Sequence, residues 1–145
     1  MRYIPLLVWI AVISFASTNS FSASNTSRFI RPLLIWLFPH ISEERIAVFH
    51  FFVRKASHFS EYAILGFLAA RAFISSSQRL LRNYWAHASV ILIVSYALLD
   101  EFHQSFVSSR TASIYDSLID ISGGVFSLLC FAYLKRRRAK KLRTD

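Results

Sequence analysis

The sequence predicts an all-α integral membrane bundle of four transmembrane helices, with a short interfacial segment in the first outer loop. Of its 145 residues, 54% are hydrophobic and 17% charged, whereas soluble domains are about 45–50% apolar and about 25% charged. The apolar residues fall into four blocks, three of them long enough to cross a bilayer. Lys and Arg number 17 against 8 Asp and Glu, a net charge of +9, and many of the basic residues flank the blocks, as in membrane proteins. This length fits a single domain, 1–145, and the composition and lone cysteine exclude a disordered chain or a disulfide scaffold.

The first predicted span covers about residues 3–17 and contains the apolar block Ile4–Ala16, which follows Arg2. A basic start and this length also suit a secretory signal, and Ser14-Phe15-Ala16 resembles a cleavage site. We favour a retained helix over a cleaved signal, because the apolar part is near the upper length for a signal.

The other three predicted spans cover residues 56–74, 86–104 and 116–134. Each has 19 residues, about 28 Å of helix, which matches the hydrocarbon core of a bilayer. Their uncharged runs are shorter than usual, because ionisable residues lie inside or at the ends of each span. Charges at span ends are tolerated when they reach the interface.

The long connection before the second span contains the predicted interfacial segment. A run rich in Ser, Asn and Thr, from Ser17 to Ser27, is typical of a polar loop. The apolar hexad Leu33–Phe38 lies between two prolines and is too short to cross a membrane. Ser42, followed by two glutamates, is a helix N-cap that begins a short interfacial helix.

The basic residues predict the orientation. With the N-terminus inside, the inner segments carry 11 of the 17 basic residues and the outer segments carry 6. Seven of the 11 lie in the tail 135–145. We therefore expect a multi-pass protein of the cytoplasmic membrane with both termini cytoplasmic. No nucleic-acid partner is expected, because no nucleic-acid-binding motif accompanies the basic tail.

With this orientation, the polar ends of the last three spans all face outward. Residues spaced three or four apart share a helix face, so several ionisable side chains meet near one membrane depth. The candidate catalytic residues are His58, Glu61, Asp100, Glu101 and His103. The candidate binding residues are Arg54, Lys55, Tyr62, Gln104, Arg110, Asp116 and Asp120. The glycines expected at close helix contacts are Gly66, Gly123 and Gly124.

This cluster has two interpretations. It is either a network of ion pairs that ties the helices together or a site for chemistry, and the two histidines favour a site. No cofactor is evident. A divalent metal could be held by His58, Glu61, Glu101 and His103, although their spacing matches no specific metal motif. Arg110 either binds an anion or pairs with Asp116.

The same residues resemble the signatures of the VanZ-like family of membrane proteins. The three matching segments are Arg54-Lys55-Ala56-Ser57-His58-Phe59-Ser60-Glu61-Tyr62 with Leu65-Gly66, then Tyr96 to Val107 with Arg110, and then Asp116 to Asp120 with Gly123. The resemblance covers about half of the chain and includes the specific string Asp100-Glu101-Phe102-His103-Gln104. Ser108-Ser109 departs from the Pro-Gly that often precedes the arginine in this family.

The resemblance implies a small bacterial integral membrane protein, commonly of four helices, whose name-giving relative is associated with teicoplanin resistance. It establishes no reaction, and three hypotheses stay open. The chain acts at the outer face of the membrane on envelope lipids or lipid-linked cell-wall precursors, and so on susceptibility to glycopeptides and peptides. Alternatively, it is an intramembrane enzyme with an acid–base or metal-dependent site, or a non-catalytic scaffold or subunit. Membrane lipids are the expected partners, and an oligomer is compatible with all three.

Overall fold

The computed structural model describes residues 1–17, 23–106 and 113–142, and these residues form helices and no strand. The elements are α1 (Ile4–Ala16), α2 (Ala23–Leu37), α3 (Glu43–Ile74), α4 (Arg79–Asn83), α5 (Trp85–Gln104) and α6 (Ile114–Lys141). The predicted all-α class is confirmed for the described part of the chain.

Helix α1 has the same bounds as the first apolar block. Its first turn contains Pro5, where the missing N–H is not needed. The helix runs antiparallel to α3, since Tyr3 donates a hydrogen bond to Ser76 at 2.7 Å and the Trp9 indole donates to the Glu61 carbonyl at 2.9 Å. Helix α1 is therefore an integral part of the bundle.

Helix α2 differs from the prediction for the first connection. The structure is helical from Ala23, whereas the Ser, Asn and Thr residues there predict a loop. Pro32 lies inside the helix, so the apolar hexad begins within it and does not form a separate segment. Helix propensity is a weak prior that tertiary context overrides, and α2 contacts α3 with Leu34 buried.

Helix α3 is continuous over 32 residues, about 48 Å at 1.5 Å per residue. The Ser42 side chain accepts a hydrogen bond from the Arg45 N–H, which confirms the predicted N-cap. The expected separation between a short interfacial helix and a second span from residue 56 is absent. No proline or glycine occurs between Glu43 and Leu65, so nothing in this stretch ends the helix.

Helices α5 and α6 are long and apolar enough to cross a membrane. Helix α5 lies within one residue of the predicted span 86–104. Helix α6 begins near the predicted start and continues through Lys141, because Lys, Arg and Ala are good helix formers. Of the four predicted spans, length and composition thus support two in the described residues, while α1 is a shorter apolar helix of 13 residues.

The core of the bundle is formed by α1, α3, α5 and α6, and small residues are frequent in it. Its buried apolar residues are Leu6, Ile13, Tyr62, Leu65, Ala69, Ala70, Ala72, Ile93, Ala97 and Leu128. Alanines at helix contacts let the helix axes approach closely. Helices α2 and α4 lie outside this core.

The contact between α3 and α6 is the most extensive in the bundle, and glycines allow it. A Cβ atom on Gly66 would lie 2.6 Å from the Gly124 carbonyl oxygen, and one on Gly123 would lie 2.9 Å from the carbonyl carbon of Phe59. Both distances are far inside van der Waals contact with backbone that cannot rotate away. A Cβ on Gly124 would meet the side chain of Ile93 on α5 at 2.7 Å, so α6 is closely packed on two sides.

Replacing Gly123 by alanine is predicted to lower stability. Alanine improves intrinsic helix propensity by about 1 kcal/mol, but forcing a methyl group against the Phe59 backbone costs about 1–3 kcal/mol. We expect the thermal unfolding temperature in detergent micelles to fall. Cys130→Ala, at an exposed position on the same helix, is the control and should leave it unchanged. An unchanged Gly123→Ala protein would contradict the close α3–α6 contact.

Candidate functional site

One end of the bundle collects the polar ends of the helices. The end of α1, the middle of α3, the end of α5 and the start of α6 meet there, since Ser17 contacts Asp100 and His58 contacts Asp120. At the opposite end of the bundle, the Arg2 guanidinium donates a hydrogen bond to the Ser75 carbonyl. The alternating direction of the helices thus brings side chains that are distant in sequence to one depth of the bundle.

Three side chains of α3 contact two aspartates of α6, and the two aspartates lie about one helical turn apart. Arg54 Nη2 lies 3.1 Å from Asp116 Oδ2, and Lys55 Nζ pairs with the other oxygen of Asp116. His58 Nδ1 lies 3.0 Å from Asp120 Oδ1. Arg54 and His58 are four residues apart, as are Asp116 and Asp120, so both contacts use one face of each helix. The two helices are therefore parallel and in a fixed register.

The two acidic residues of α6 differ in their surroundings. Asp116 is 1% exposed and meets two cations, whose side chains remain partly exposed at 33% for Arg54 and 21% for Lys55. Asp120 is 0% exposed, and its one ion-pair partner among the described residues is the His58 imidazole. Its second oxygen, Oδ2, has no hydrogen-bond partner among the described residues. Asp116 therefore lies at the entrance of the cluster and Asp120 lies deeper.

Helix α5 contributes two adjacent acids that are both buried. Asp100 accepts hydrogen bonds from the Ser17 hydroxyl at 2.5 Å and from the Gln104 amide at 3.0 Å. Glu101 Oε2 accepts from the Ser113 backbone N–H at 2.7 Å. Its other oxygen, Oε1, is buried and has no partner in the described part of the chain. Buried carboxylate oxygens without partners are costly, so Oε1 of Glu101 and Oδ2 of Asp120 mark the least satisfied part of the cluster.

Tyr62 lies on α3 one turn beyond His58 and is 0% exposed. Its hydroxyl is buried and makes no hydrogen bond within the described ranges. The ring lies 6.2 Å from that of Tyr96, which donates a hydrogen bond to the Ile10 carbonyl at 2.9 Å. A second unsatisfied hydroxyl, that of Ser117, is buried on α6.

Two further candidates, Glu61 and His103, are less buried than the acids of the cluster. Glu61 is half-buried, and its carbonyl accepts the Trp9 hydrogen bond. His103 is exposed and lies off the face that carries Glu101, because residues two apart on a helix point about 200° apart. Arg110 lies outside the described residues. The predicted glycines lie at the α3–α6 and α5–α6 contacts.

Three serines contribute to the cluster but are not among the predicted site residues. Ser17 donates to Asp100, the Ser113 backbone donates to Glu101, and Ser117 lies buried between the two aspartates of α6. Ser17 and Ser113 each lie at a helix boundary, which is the signal in the sequence for these two. For Ser117, the signal in the sequence is its position directly after Asp116.

The arrangement permits two kinds of chemistry. An imidazole oriented by a buried carboxylate can accept and return a proton. One imidazole nitrogen and two carboxylate oxygens can also hold a metal ion. The groups placed closest for this are His58, Glu101 and Asp120, which include two of the four residues that the sequence suggests.

Comparison with known proteins identifies a family. The VanZ/LLP1 family model matches residues 3–135, which is nearly the whole chain. No curated protein and no solved structure matches this chain significantly. The family match contains every cluster residue described above.

The contact between His58 and Asp120 is predicted to appear as an energetic coupling. Removing one partner of a buried pair destabilises the protein by leaving the other partner unpaired, and removing the second should then cost much less. In a double-mutant cycle of His58→Gln and Asp120→Asn, measured by unfolding in SDS-titrated micelles, we expect a coupling of about 0.5–3 kcal/mol.

The control cycle combines Asp120→Asn with His87→Gln, an exposed histidine of α5 near its first turn. It should be additive within about 0.5 kcal/mol. Equal additivity in both cycles would refute a direct contact between His58 and Asp120.

Proposed function

The chain belongs to the VanZ/LLP1 family, and from this premise we propose that it acts at the outer face of the cytoplasmic membrane on envelope lipids or lipid-linked cell-wall precursors. The observation that carries the proposal is the buried cluster of His58, Glu101 and Asp120 behind two partly exposed cations.

The distribution of polarity supports a membrane location. The side chains that face outward from α5 and α6 are large and apolar, among them Ile91, Leu99, Phe126 and Leu129, each more than half exposed. The buried positions on the same helices include Glu101 and other acids. A water-soluble bundle has the opposite arrangement, whereas a bilayer solvates an apolar exterior and favours ionisable residues inside.

Four spans are consistent with the packing of the bundle. Helix α1 buries Leu6 and Ile13 in the same core as α3, α5 and α6, which favours a retained first helix over a cleaved signal. The second half of α3 supplies Leu65 and several buried alanines. The basic end of α6 favours a cytoplasmic location for that end of the bundle, and the polar cluster then faces outward.

The entrance of the cluster suits an anionic headgroup. Arg54 and Lys55 share the single carboxylate of Asp116, so the entrance keeps a surplus of one positive charge. The buried Nε of Arg54 has no partner among the described residues. Guanidinium and ammonium groups bind phosphate oxygens through charge-assisted hydrogen bonds. A lipid phosphate or pyrophosphate at the outer surface would satisfy both cations.

Behind the entrance, His58 is placed for proton transfer. Its Nδ1 is held by Asp120, which fixes the orientation of the ring. A carboxylate that orients an imidazole is a recurrent arrangement in general acid–base catalysis. His58 with Asp120 is thus the acid–base pair of the proposed site, and Glu101 is the second acid within reach.

A scaffold function is the second candidate, and one observation favours it. The contacts of Arg54, Lys55 and His58 with acids all join α3 to α6, the pair with the most extensive contact in the described residues. If the cluster only stabilises this contact, conservative changes at His58 and Asp120 will lower stability and activity together. A site for chemistry predicts loss of activity in variants that remain folded.

The proposed orientation predicts a labelling pattern. In a Cys130→Ser background, Ser105→Cys lies just after α5 and Arg138→Cys lies near the end of α6, both at exposed positions. A membrane-impermeant maleimide should label Ser105→Cys in intact cells and Arg138→Cys only after permeabilisation, because basic segments stay inside. The reverse pattern would overturn the orientation.

The proposed activity predicts a change in envelope lipids that depends on Asp120. A bacterial strain that lacks the protein is compared with strains that express wild type, Asp120→Asn or His87→Gln. Wild type and His87→Gln should alter the mass-spectrometric profile of lipid-linked precursors or phospholipids, and susceptibility to glycopeptides and cationic peptides. Asp120→Asn should alter neither, because the amide cannot serve as the anionic partner of His58.

Membrane abundance and thermal stability of each variant are measured in parallel. Asp120→Asn protein that is folded and abundant but inactive supports the site, and inactive protein that is also unstable supports the scaffold. Identical lipid profiles and susceptibilities in the null and wild-type strains would contradict the proposed function.

A further inference from the structure

Three side chains from three helices meet deep in the bundle. His58 of α3, Glu101 of α5 and Asp120 of α6 each offer one ligand atom, and these atoms lie within 4.8 Å of one another. Ligand atoms of one cation lie at most about 4.4 Å apart, twice the metal–oxygen distance. A small movement of the side chains would therefore place all three around one ion.

Burial makes this group unlike a surface cluster of acids. His58 is 6% exposed, Glu101 is 7% exposed and Asp120 is 0% exposed. Asp120 Oδ2 and Glu101 Oε1 are buried without a hydrogen-bond partner in the described segments. Two carboxylates that each keep an unsatisfied oxygen in the interior need a further positive or donating group there.

The other oxygen of each carboxylate is already held in place. Asp120 Oδ1 contacts His58 Nδ1 at 3.0 Å, and Glu101 Oε2 accepts the Ser113 N–H at 2.7 Å. A hydrogen bond from outside the ligand set, such as the one from Ser113 to Glu101, orients metal-binding carboxylates in proteins. The group thus has oriented ligands together with oxygens that remain available.

Charge balance points to a divalent cation. Asp116 is neutralised by Arg54 and Lys55, and Asp100 is hydrogen-bonded by the neutral Ser17 and Gln104 side chains. None of these partners neutralises the carboxylates of Glu101 and Asp120. With a neutral imidazole, Glu101 and Asp120 together carry two negative charges, which one divalent ion balances.

We propose that His58, Glu101 and Asp120 bind a divalent transition-metal ion of the zinc or manganese type. An imidazole nitrogen favours such an ion over calcium or magnesium, which prefer oxygen ligands alone. Three protein ligands leave at least one coordination position for water or another ligand. Cation binding requires no lipid substrate and no catalysis, so the proposal goes beyond the proposed function.

The test uses the full-length protein in detergent micelles, purified with an affinity tag that contains no histidine. Metal content is measured by mass spectrometry after incubation with zinc chloride or manganese chloride and desalting. We expect about one ion per wild-type chain and a higher thermal unfolding temperature, since a ligand that binds only the folded state stabilises it. Cobalt chloride should give a visible absorption band from a low-symmetry site.

Three isosteric or near-isosteric variants, His58→Gln, Glu101→Gln and Asp120→Asn, should each lower the affinity for the ion about tenfold or more and abolish the cobalt band. Matched controls on exposed residues, His87→Gln and Glu44→Gln, should bind as wild type. If a variant is too unstable to purify, metal content and thermal shift of the wild-type protein still test the proposal.

Wild-type protein with no bound ion and no thermal shift at millimolar zinc or manganese would overturn the proposal. So would binding that persists unchanged in the three site variants. Metal content is measured independently of lipid profiles. A protein that binds metal but leaves lipids unchanged refutes only the proposed function. A protein that changes lipids but binds no metal refutes only the metal site.

Discussion

Two buried carboxylates of α6 fix how this helix packs against α3. Asp116 and Asp120 are both almost completely buried, and a buried charge without a partner is strongly destabilising. Their partners lie one turn apart on α3, at a constant separation of 62 residues along the chain. Any slip of α6 along α3 would break both contacts at once. The charges therefore specify the register of the two helices.

The glycines make this register sterically possible, and the register in turn builds the site. Gly66 and Gly123 let the backbones of α3 and α6 approach so closely that a methyl group would collide with a carbonyl group. Helix α5 then packs against both, with Ile93 over Gly124, and this places Glu101 beside His58 and Asp120. The same contacts serve stability and bring the ionisable groups together. Variants must therefore be compared for folding and activity side by side.

The sequence predicted the features that depend on local pattern. Helices α1 and α5 match their apolar blocks, because polar residues such as Ser17 and Gln104 mark where the blocks end. The convergence of polar helix ends followed from counting charges and alternating the direction of the helices. Local pattern was insufficient for α2, where Ser, Asn and Thr indicate a loop, and for the unbroken length of α3. Asp120 was predicted only as a binding residue, since its proximity to Glu101 depends on how α5 packs against α6.

A buried contact between His58 and Asp120 joins α3 to α6 and lies at the centre of the proposed site. The most direct measurement is solid-state NMR on protein in lipid bilayers, with nitrogen-labelled histidine and aspartate labelled at the carboxyl carbon. We expect strong dipolar dephasing between the His58 Nδ1 and one aspartate carboxyl carbon, and its disappearance in Asp120→Asn, where that labelled carbon is absent. A His58 ring that shows no dephasing from any aspartate carboxyl carbon would rule out this contact.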